Sequence, residues 1–355
     1  MITKQQIEQL GALIQNVNPN KHYWFFRTMG GMYYEEFYKE SYIAIGYNEI
    51  LMKDLRVLSI RGDEARAYIK IMLKERRKDL TESQIAKTAS QILKFYRELK
   101  IGDLIIAPNY QSKKFAIGII NSEMYEDSSK HADCKCQFAK RRKIKWIKEV
   151  ERKDIDPKAL LAFGNQQTMS CVDEYAEYID RKVDQLYTKG EQTYLALRVN
   201  QERGLSWDDF CFISDLGDLF KYVSQEGGVN VDLSQIKMKI NVQSPGDIIL
   251  MCSGDVGWYL LLLLVAIGCL LPGGNVKFLG FKFESNGLGS FAKQISEAVT
   301  HYLDHKADRK AKLLERATNM QIDQVHENEI THCRQETLSL PSSQQVLEDD
   351  SENDE

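Results

Sequence analysis

The sequence predicts an α+β protein in which an N-terminal mixed β-barrel with helical insertions precedes a smaller α+β module. Two observations predict the barrel: short apolar runs typical of strands lie at both ends of the first 170 residues, and two stretches with helical spacing lie between them. A third predicts the module, since strand and helix patterns alternate again after residue 190. The length of 355 residues fits two domains plus extra segments.

The barrel is expected over residues 21–170, after a lead-in helix in residues 1–20 whose apolar side chains recur three and four apart. Helical spacing returns between residues 62 and 99, where two helices fit and Thr81 and Ser83 are candidate caps. The predicted strands are His22–Arg27, Tyr42–Tyr47, Ile101–Ala107, Lys114–Ile120 and Ile144–Ile147.

The second half is predicted to begin with a connecting helix in residues 171–190 and to continue as an α+β module over residues 191–318. Residues 319–355 form an acidic tail that we expect to be disordered. The module contains the predicted strands 194–199, 236–242, 247–251 and 276–283, a helix at 208–224, an apolar helix at 256–271 and a long charged helix from about 288 to 317.

Composition excludes a strongly basic protein whose affinity rests on bulk phosphate neutralisation. The net charge is −4, and six acidic residues lie in the last fifteen positions, so the rest of the chain is close to balance. The seven cysteines are scattered and odd in number, which favours a reducing compartment. The first ten residues carry no continuous apolar stretch, so we expect no cleavable export signal and a cytoplasmic location.

Four short motifs in the first half resemble a known family. They are Trp24 to Arg27 followed by Gly30-Gly31, then Ala44-Ile-Gly-Tyr47, Gly102-Asp-Leu-Ile105 and Lys145-Trp146. Together they resemble the N-terminal module of Mrr-like restriction endonucleases and related bacterial defence proteins, a PUA/EVE-like barrel. The sequence departs from that pattern by Tyr47 in place of Trp, by Met29 before the double glycine, and by a longer cysteine-containing insertion at residues 126–140.

The resemblance implies a pocket that reads a flipped or free base. Such a pocket needs aromatic faces for stacking and a few polar groups for the base edge. The candidate stacking residues are Trp24, Tyr47 and Trp146, and Arg27 and Asn109 are the candidate polar ligands. The alternative is that both tryptophans belong to an ordinary strand core.

A basic run between residues 138 and 153 is the strongest nucleic-acid feature of the chain, because Trp146 lies among its cations. A solvated strand face explains the same pattern. The residues predicted to contact nucleic acid are Lys140, Arg141, Arg142, Lys143 and Lys145.

We expect no metal site, no cofactor and no catalytic group. His131, Cys134 and Cys136 resemble part of a metal knuckle, but a zinc site needs four ligands and no second Cys/His pair lies nearby. A nucleotide-binding P-loop, a serine nucleophile elbow and the acidic nuclease motif of the Mrr-like enzymes are absent from the sequence. The chain is therefore expected not to be an enzyme.

The apolar run Val256–Leu271 leaves two environments open. Its sixteen residues would reach about 24 Å as a helix, against roughly 30 Å of membrane hydrocarbon. It is either a helix buried in the protein or in an oligomer, or a segment that associates with the inner membrane.

These observations predict a bacterial defence-type sensor. Its barrel would bind a modified base, a nucleotide or nucleic acid, and its C-terminal module would act by oligomerisation or membrane association. The alternative is a modification-dependent restriction endonuclease or its accessory subunit, which rests on the resemblance alone.

Overall fold

A computed structural model describes most of the chain between residues 11 and 305. The described residues are 11–12, 14–58, 64–127, 135–164, 167–199, 206–226, 228, 230–240, 246–270 and 289–305. His131, Cys134, the predicted strand 276–283 and the acidic tail lie outside them.

The N-terminal region is built on a mixed sheet that curls into a half-barrel. Its strand order is β3-β7-β5-β4-β2-β8, and β6 pairs with β7. All pairings are antiparallel except that of β2 with β4. The strands are β2 (Tyr23–Phe26), β3 (Tyr42–Ile45), β4 (Leu104–Pro108), β5 (Lys114–Ile120), β6 (Tyr125–Glu126), β7 (Lys140–Glu151) and β8 (Met169–Cys171).

Helices lie on both faces of this sheet because both faces carry buried apolar side chains. One core includes Phe26, Ile105 and Ile144 with the helices before β4, and the other includes Phe25, Ile117 and Val150 with the helices after β7. The helices are α1 (Tyr34–Lys39), α2 (Met52–Leu58), α3 (Ala65–Arg76), α4 (Glu82–Leu93), a π-helix (Lys94–Glu98), α5 (Pro157–Ala162) and α6 (Ala176–Val183).

The predicted cap at Thr81 is confirmed. Its hydroxyl accepts a hydrogen bond from the Gln84 backbone N–H, and the Gln84 side chain accepts one from the Thr81 N–H. This reciprocal pair fixes the start of α4.

A second sheet, of order β1-β9-β10-β12-β11, forms the C-terminal region. The end of the predicted lead-in helix is wrong, because β1 pairs in parallel with β9. The connecting helix predicted for 171–190 is also too long: α6 ends at Val183 and β9 follows. Both errors share a cause, since β1 and β9 are far apart in sequence and no local pattern reveals their pairing. The strands are β1 (Gln15–Val17), β9 (Leu186–Lys189), β10 (Gln192–Val199), β11 (Lys237–Ile240) and β12 (Gly246–Ser253).

The apolar run forms a short helix, α8 (Trp258–Leu270), at the centre of the C-terminal core. It packs against β10 and β12 on one side and against α7 (Trp207–Glu226) and α9 (Gly289–His305) on the other. Every side chain from Trp258 to Ile267 is at most 8% exposed. Within the described residues no helix combines the length and apolar character needed to cross a membrane.

Buried ion pairs join the two regions. Asp180 of α6 is 1% exposed and contacts the ammonium groups of Lys21 at 3.0 Å and of Lys189 at 2.7 Å. Asp247 of β12 contacts Arg181 at 3.1 Å and Lys182 at 3.7 Å. These pairs connect α6 to the segment before β2 and to β9 and β12 of the second sheet.

Candidate functional site

The first three cations of β7 lie inside the protein. Arg142 is fully buried, and its guanidinium donates to the carbonyl oxygens of Phe95 and Tyr96 in the π-helix and of Ser122. The Phe95 and Tyr96 carbonyls lie in the last turn of the helical segment, where a positive charge is favoured, and Ser122 follows β5. Arg142 therefore caps a helix and cannot contact a phosphate in this structure, contrary to the sequence prediction.

Lys140 and Arg141 are also interior cations. The Lys140 ammonium donates to the carbonyl oxygens of Tyr47 at 2.8 Å and Ile50 at 3.0 Å, and burial lowers its pKa to about 8. Arg141 bonds Asp127 at 2.6 Å and lies 4.3 Å from the centre of the Tyr42 ring. Neither is exposed to a nucleic acid, so the prediction fails for both.

The other two basic residues of the predicted interface keep access to solvent. Lys143 is exposed and Lys145 is half-buried, and both lie on β7 beyond the buried triplet. Their role in nucleic-acid binding stays a prediction.

Trp24 is a structural core residue and not a stacking platform. It is 3% exposed, and its indole N–H donates to Asp103 at 3.0 Å. The same carboxylate accepts the backbone N–H groups of His22 and Lys100. Asp103 thus holds the start of β2 against the segment before β4, and Trp24 completes that arrangement.

Trp146 is half-buried, and its indole N–H donates to the Phe37 carbonyl at 3.0 Å. Its ring lies against Gly118 of β5, where any Cβ would come within 2.7 Å of it. The ring centre is 5.8 Å from that of Tyr38, which is also half-buried. Part of Trp146 therefore remains accessible beside α1.

The remaining predicted ligand residues hold loops in place. Tyr47 is half-buried with a positive φ of 62°, and its carbonyl accepts from Lys140. The Asn109 side chain accepts the Lys114 backbone N–H at 2.8 Å and closes the turn between β4 and β5. The Arg27 guanidinium lies 3.5 Å from the Gly164 carbonyl. Of the five candidates, Trp24 is buried in the core, and the ligand role of the other four stays a prediction.

Two loops in direct contact form the surface that best fits a binding site. Loop A, residues 27–33, follows β2, and loop B, residues 109–113, joins β4 to β5. The buried Thr28 hydroxyl donates to the Pro108 carbonyl at 2.6 Å. Gly31 approaches loop B so closely that a Cβ would lie 2.3 Å from the Tyr110 backbone. Only glycine permits this contact, since φ is +94° there as well.

These loops carry strained backbone and large exposed side chains together. Three of their non-glycine residues have positive φ: Met29 at 52°, Gln111 at 58° and Ser112 at 54°. Each such residue costs on the order of 1–3 kcal/mol, and this strain is concentrated at functional sites. Met29, Met32 and Tyr110 are 58%, 64% and 66% exposed. We call these three residues the two-loop surface.

An aromatic row runs from loop A towards β7. The rings of Tyr34 and Tyr38 stack at 6.0 Å with 7° between their planes, and Trp146 follows Tyr38. The Tyr34 hydroxyl donates to the Glu149 carboxylate. Both tyrosines lie on α1, which begins directly after loop A. The row therefore adjoins the two-loop surface.

Sequence reasoning missed Met29, Met32, Tyr110 and the two tyrosines of α1. Two signals were present: the Met-Gly-Gly-Met segment, whose glycines mark a loop, and the four-residue spacing of Tyr34 and Tyr38, which places both on one helix face. Neither signal distinguishes a ligand surface from an ordinary turn.

One group among the described residues can hold a metal ion, namely His22, Cys171 and Asp173. The hydrogen bond that the His22 ring donates to the Asp173 carboxylate raises the pKa of His22, and burial raises the pKa of the Cys171 thiol. Burial opposes ionisation of Asp173, but bonds from His22, Tyr23 and Cys171 lower its pKa below the usual value. Sequence reasoning expected no metal and missed this group, whose members meet only through the pairing of β2 with β8.

Of the metal knuckle considered for residues 131–136, the structure describes only Cys136. Its side chain is 1% exposed and its backbone N–H donates to Glu36 at 2.9 Å. Burial raises the pKa of this thiol to about 11, so it is protonated at neutral pH.

One family model matches the chain, over residues 27–174, and it is described as a domain of unknown function (DUF8426). No curated protein matches. The matched segment contains loops A and B, the aromatic row and all of β7. It begins after β2, so it includes Cys171 and Asp173 but not His22.

Proposed function

We propose that the N-terminal half-barrel is a PUA/EVE-like module that binds an unpaired base, either a modified base flipped from a duplex or one in a nucleotide or single strand. One observation carries the proposal: Tyr110, Met29 and Met32 are exposed on two loops whose strained backbones are held together by Thr28 and Gly31. Exposed apolar side chains on preorganised loops are typical of ligand surfaces.

Tyr110 is the stacking residue in this proposal. A tyrosine ring offers its face to any base, and base stacking on an aromatic side chain is worth about 1–3 kcal/mol. Met29 and Met32 would cover the sides of the base, because the flexible thioether adapts to irregular apolar shapes. The aromatic row would receive a second base at Tyr38.

Cations of the same loops would contact the phosphate. Lys113 of loop B and Lys114 at the start of β5 are exposed, and Arg27 opens loop A. Lys143 and Lys145 of β7 remain candidates for more distant phosphates. This arrangement replaces the basic run predicted from the sequence, three of whose members are buried.

The C-terminal region would act as the responding module of a cytoplasmic defence-type sensor, by oligomerisation or by association with the inner membrane. The membrane route requires α8 to be uncovered, since α7, α9 and the second sheet pack around it. The buried ion pairs of α6 with Lys189 and Asp247 would transmit the change from the first sheet.

The test is fluorescence anisotropy with a labelled single-stranded oligonucleotide and the same strand in plain and cytosine-methylated duplexes. Tyr110→Ala should weaken binding of the preferred probe by roughly 5- to 150-fold, the equivalent of one lost stacking contact. The matched control is Tyr68→Ala on α3, which removes a tyrosine 37% exposed away from the loops.

If Tyr110→Ala binds each probe as strongly as Tyr68→Ala does, Tyr110 is not the stacking residue. The proposed function would be refuted if the wild-type protein bound none of the oligonucleotide probes and no mononucleotide. Thermal unfolding of Tyr110→Ala should match the wild type, because the side chain is exposed.

A further inference from the structure

We infer that His22, Cys171 and Asp173 form a binding site for a divalent transition metal, with Zn²⁺ as the best fit and water as the fourth ligand. This site is separate from the two-loop surface and does not depend on the proposed function. One ligand atom from each residue lies within 4.8 Å of the other two.

The backbone brings the three residues together. In the antiparallel pair of β2 and β8, Trp24 is opposite Cys171, and continuing that register places His22 opposite Asp173. Because side chains alternate along a strand, His22, Cys171 and Asp173 share one face of the sheet. The alignment continues past the strand ends, where the Val172 N–H donates to the Tyr23 carbonyl and the Tyr23 N–H donates to Asp173 Oδ1 at 2.7 Å.

Hydrogen bonds from neighbouring groups orient the ligand side chains, as the residues around the ligands do in known metal sites. Asp173 Oδ1 is held by the Tyr23 backbone, which leaves Oδ2 directed at His22 Nδ1 at 2.7 Å. The His22 backbone N–H is bonded to the buried Asp103 carboxylate at 3.0 Å. Such contacts orient a ligand before the metal arrives.

The donor set selects the metal. Imidazole nitrogen, thiolate sulfur and carboxylate oxygen are the three ligand types that Zn²⁺ binds tetrahedrally, at about 2.0–2.3 Å. Mg²⁺ and Ca²⁺ take oxygen ligands, of which this group offers one carboxylate. Ligand atoms around a tetrahedral Zn²⁺ lie about 3–4 Å apart, so the group needs only small side-chain rotations to close around the ion.

The site is open to solvent on one side. The side chains of His22 and Asp173 are 47% and 40% exposed, and Cys171 is exposed as well. An ion can therefore enter, and its fourth position is free for water, the arrangement of sites that exchange ligands. On binding, the Cys171 thiol gives up its proton to solvent, and the proton that lies between His22 Nδ1 and Asp173 Oδ2 moves to Nε2 or to solvent, so that the sulfur, the neutral imidazole and the carboxylate each donate one pair to the metal.

The first test uses Co²⁺ as a spectroscopic probe of the full chain, stripped of metal by a chelator under reducing conditions. One Co²⁺ per chain should give tetrahedral d–d bands and thiolate-to-cobalt charge-transfer absorption, which added Zn²⁺ abolishes. Cys171→Ser should lose the charge-transfer absorption, and His22→Ala should weaken Co²⁺ binding at least tenfold. Cys211→Ser, which removes a thiol on α7, should behave as the wild type.

A second measurement needs no variant and so does not depend on how the variants fold. Zn²⁺ should slow alkylation of Cys171 by iodoacetamide in the wild-type protein, read by peptide mass spectrometry with Cys211 as an internal reference. Equal alkylation of Cys171 with and without Zn²⁺ would overturn the inference. So would charge-transfer absorption that persists in Cys171→Ser, which would assign the metal to another cysteine.

Discussion

The first residues of β7 and the helix α8 have opposite compositions, yet both are mostly buried. Four consecutive cations begin β7, and three of them are buried; α8 is almost entirely apolar and is buried as well. Read alone, the first pattern favours a surface that binds nucleic acid and the second a helix that meets lipid. The comparison teaches that the neighbours of a segment decide its environment, and these neighbours come from distant parts of the chain.

The two segments are stabilised by different physics. The β7 cations replace water with backbone carbonyls, as Arg142 does with three acceptors and Lys140 with two. Such a group stabilises only while every partner is present, because an unpaired buried charge is very costly. α8 needs no specific partner atom, since apolar burial is not directional. Substitutions in the start of β7 and in α8 should therefore change the stability of the protein by different amounts.

The largest effect is expected from placing charge in α8. Leu262→Glu with Leu264→Glu puts two carboxyl groups at positions that are 0% exposed in an apolar core. The cost is several kcal/mol for each group, comparable with the roughly 5–15 kcal/mol that stabilises a typical domain, so the C-terminal region should unfold and the protein should become insoluble. The measurement is fractionation into soluble and membrane pools with a carbonate wash.

Leu161→Glu is the matched control, because Leu161 on α5 is 78% exposed and should tolerate the change. A different result is also possible: the wild type is retained in the membrane pool, and the double variant stays folded but is no longer retained. This result would show that α8 meets lipid and is not a core helix. That outcome would restore the membrane expectation drawn from the sequence and break the comparison with β7.

The next effect concerns a single cation of β7. Arg142→Met keeps a long unbranched side chain but removes the guanidinium, which leaves three backbone carbonyls without their donor. The free energy of unfolding should therefore fall by about 3–5 kcal/mol. Lys143→Met, one residue along the same strand, should change it by no more than about 0.5 kcal/mol because Lys143 is exposed. Urea unfolding of both variants measures the difference, and similar losses would show that the buried charge is not what matters.

The sequence predicts much of the secondary structure because that information is local. The spacing from residue 62 to 99, the Thr81 cap and the alternation in β5 and β10 each specify an element without distant contacts. β1 and β9 escape prediction since each is short and defined by a partner remote in sequence. The start of β7 was missed because Lys140–Lys143 has no apolar alternation, and its cations are satisfied by groups at residues 47, 50, 95, 96 and 122.

The candidate site was harder to predict for the same reason. Arg27 and Asn109, predicted as polar ligands, lie on loops A and B, and their ligand role stays a prediction. The contact of Gly31 with Tyr110 depends on tertiary packing, which no local pattern reveals. Trp24 was assigned to stacking because a tryptophan in a strand fits both a pocket and a core, and only its bond to Asp103 distinguishes them. The metal group likewise depends on the register of β2 and β8.

The smallest effect concerns the pH dependence of stability, because the buried cations ionise differently in the folded and unfolded chain. Burial lowers the pKa of Lys140 to about 8, and that of Lys182 to about 8 as well, against 10.5 for an ordinary lysine. Between these values each of the two lysines binds more protons in the unfolded chain than in the folded one, so each should raise the free energy of unfolding with pH from about 8, by up to about 1.4 kcal/mol per unit. Thiols and tyrosines whose pKa is raised by burial, among them Cys136, Cys252 and Tyr34, oppose this rise as they ionise in the unfolded chain, so the lysine contribution is read as a difference between the wild type and a lysine variant.

Lys140→Met should remove the contribution of Lys140, so the free energy of unfolding of the wild type should rise relative to that of this variant by roughly 1–2 kcal/mol between pH 8.0 and 9.5, as measured by urea unfolding. The exposed Lys143→Met should show no such change relative to the wild type. A Lys140→Met variant with the full pH dependence would mean that this lysine keeps an ordinary pKa, and hence that water reaches its ammonium. β7 would then be a solvated basic strand, and Lys140 would return to the candidate nucleic-acid surface from which its burial removed it.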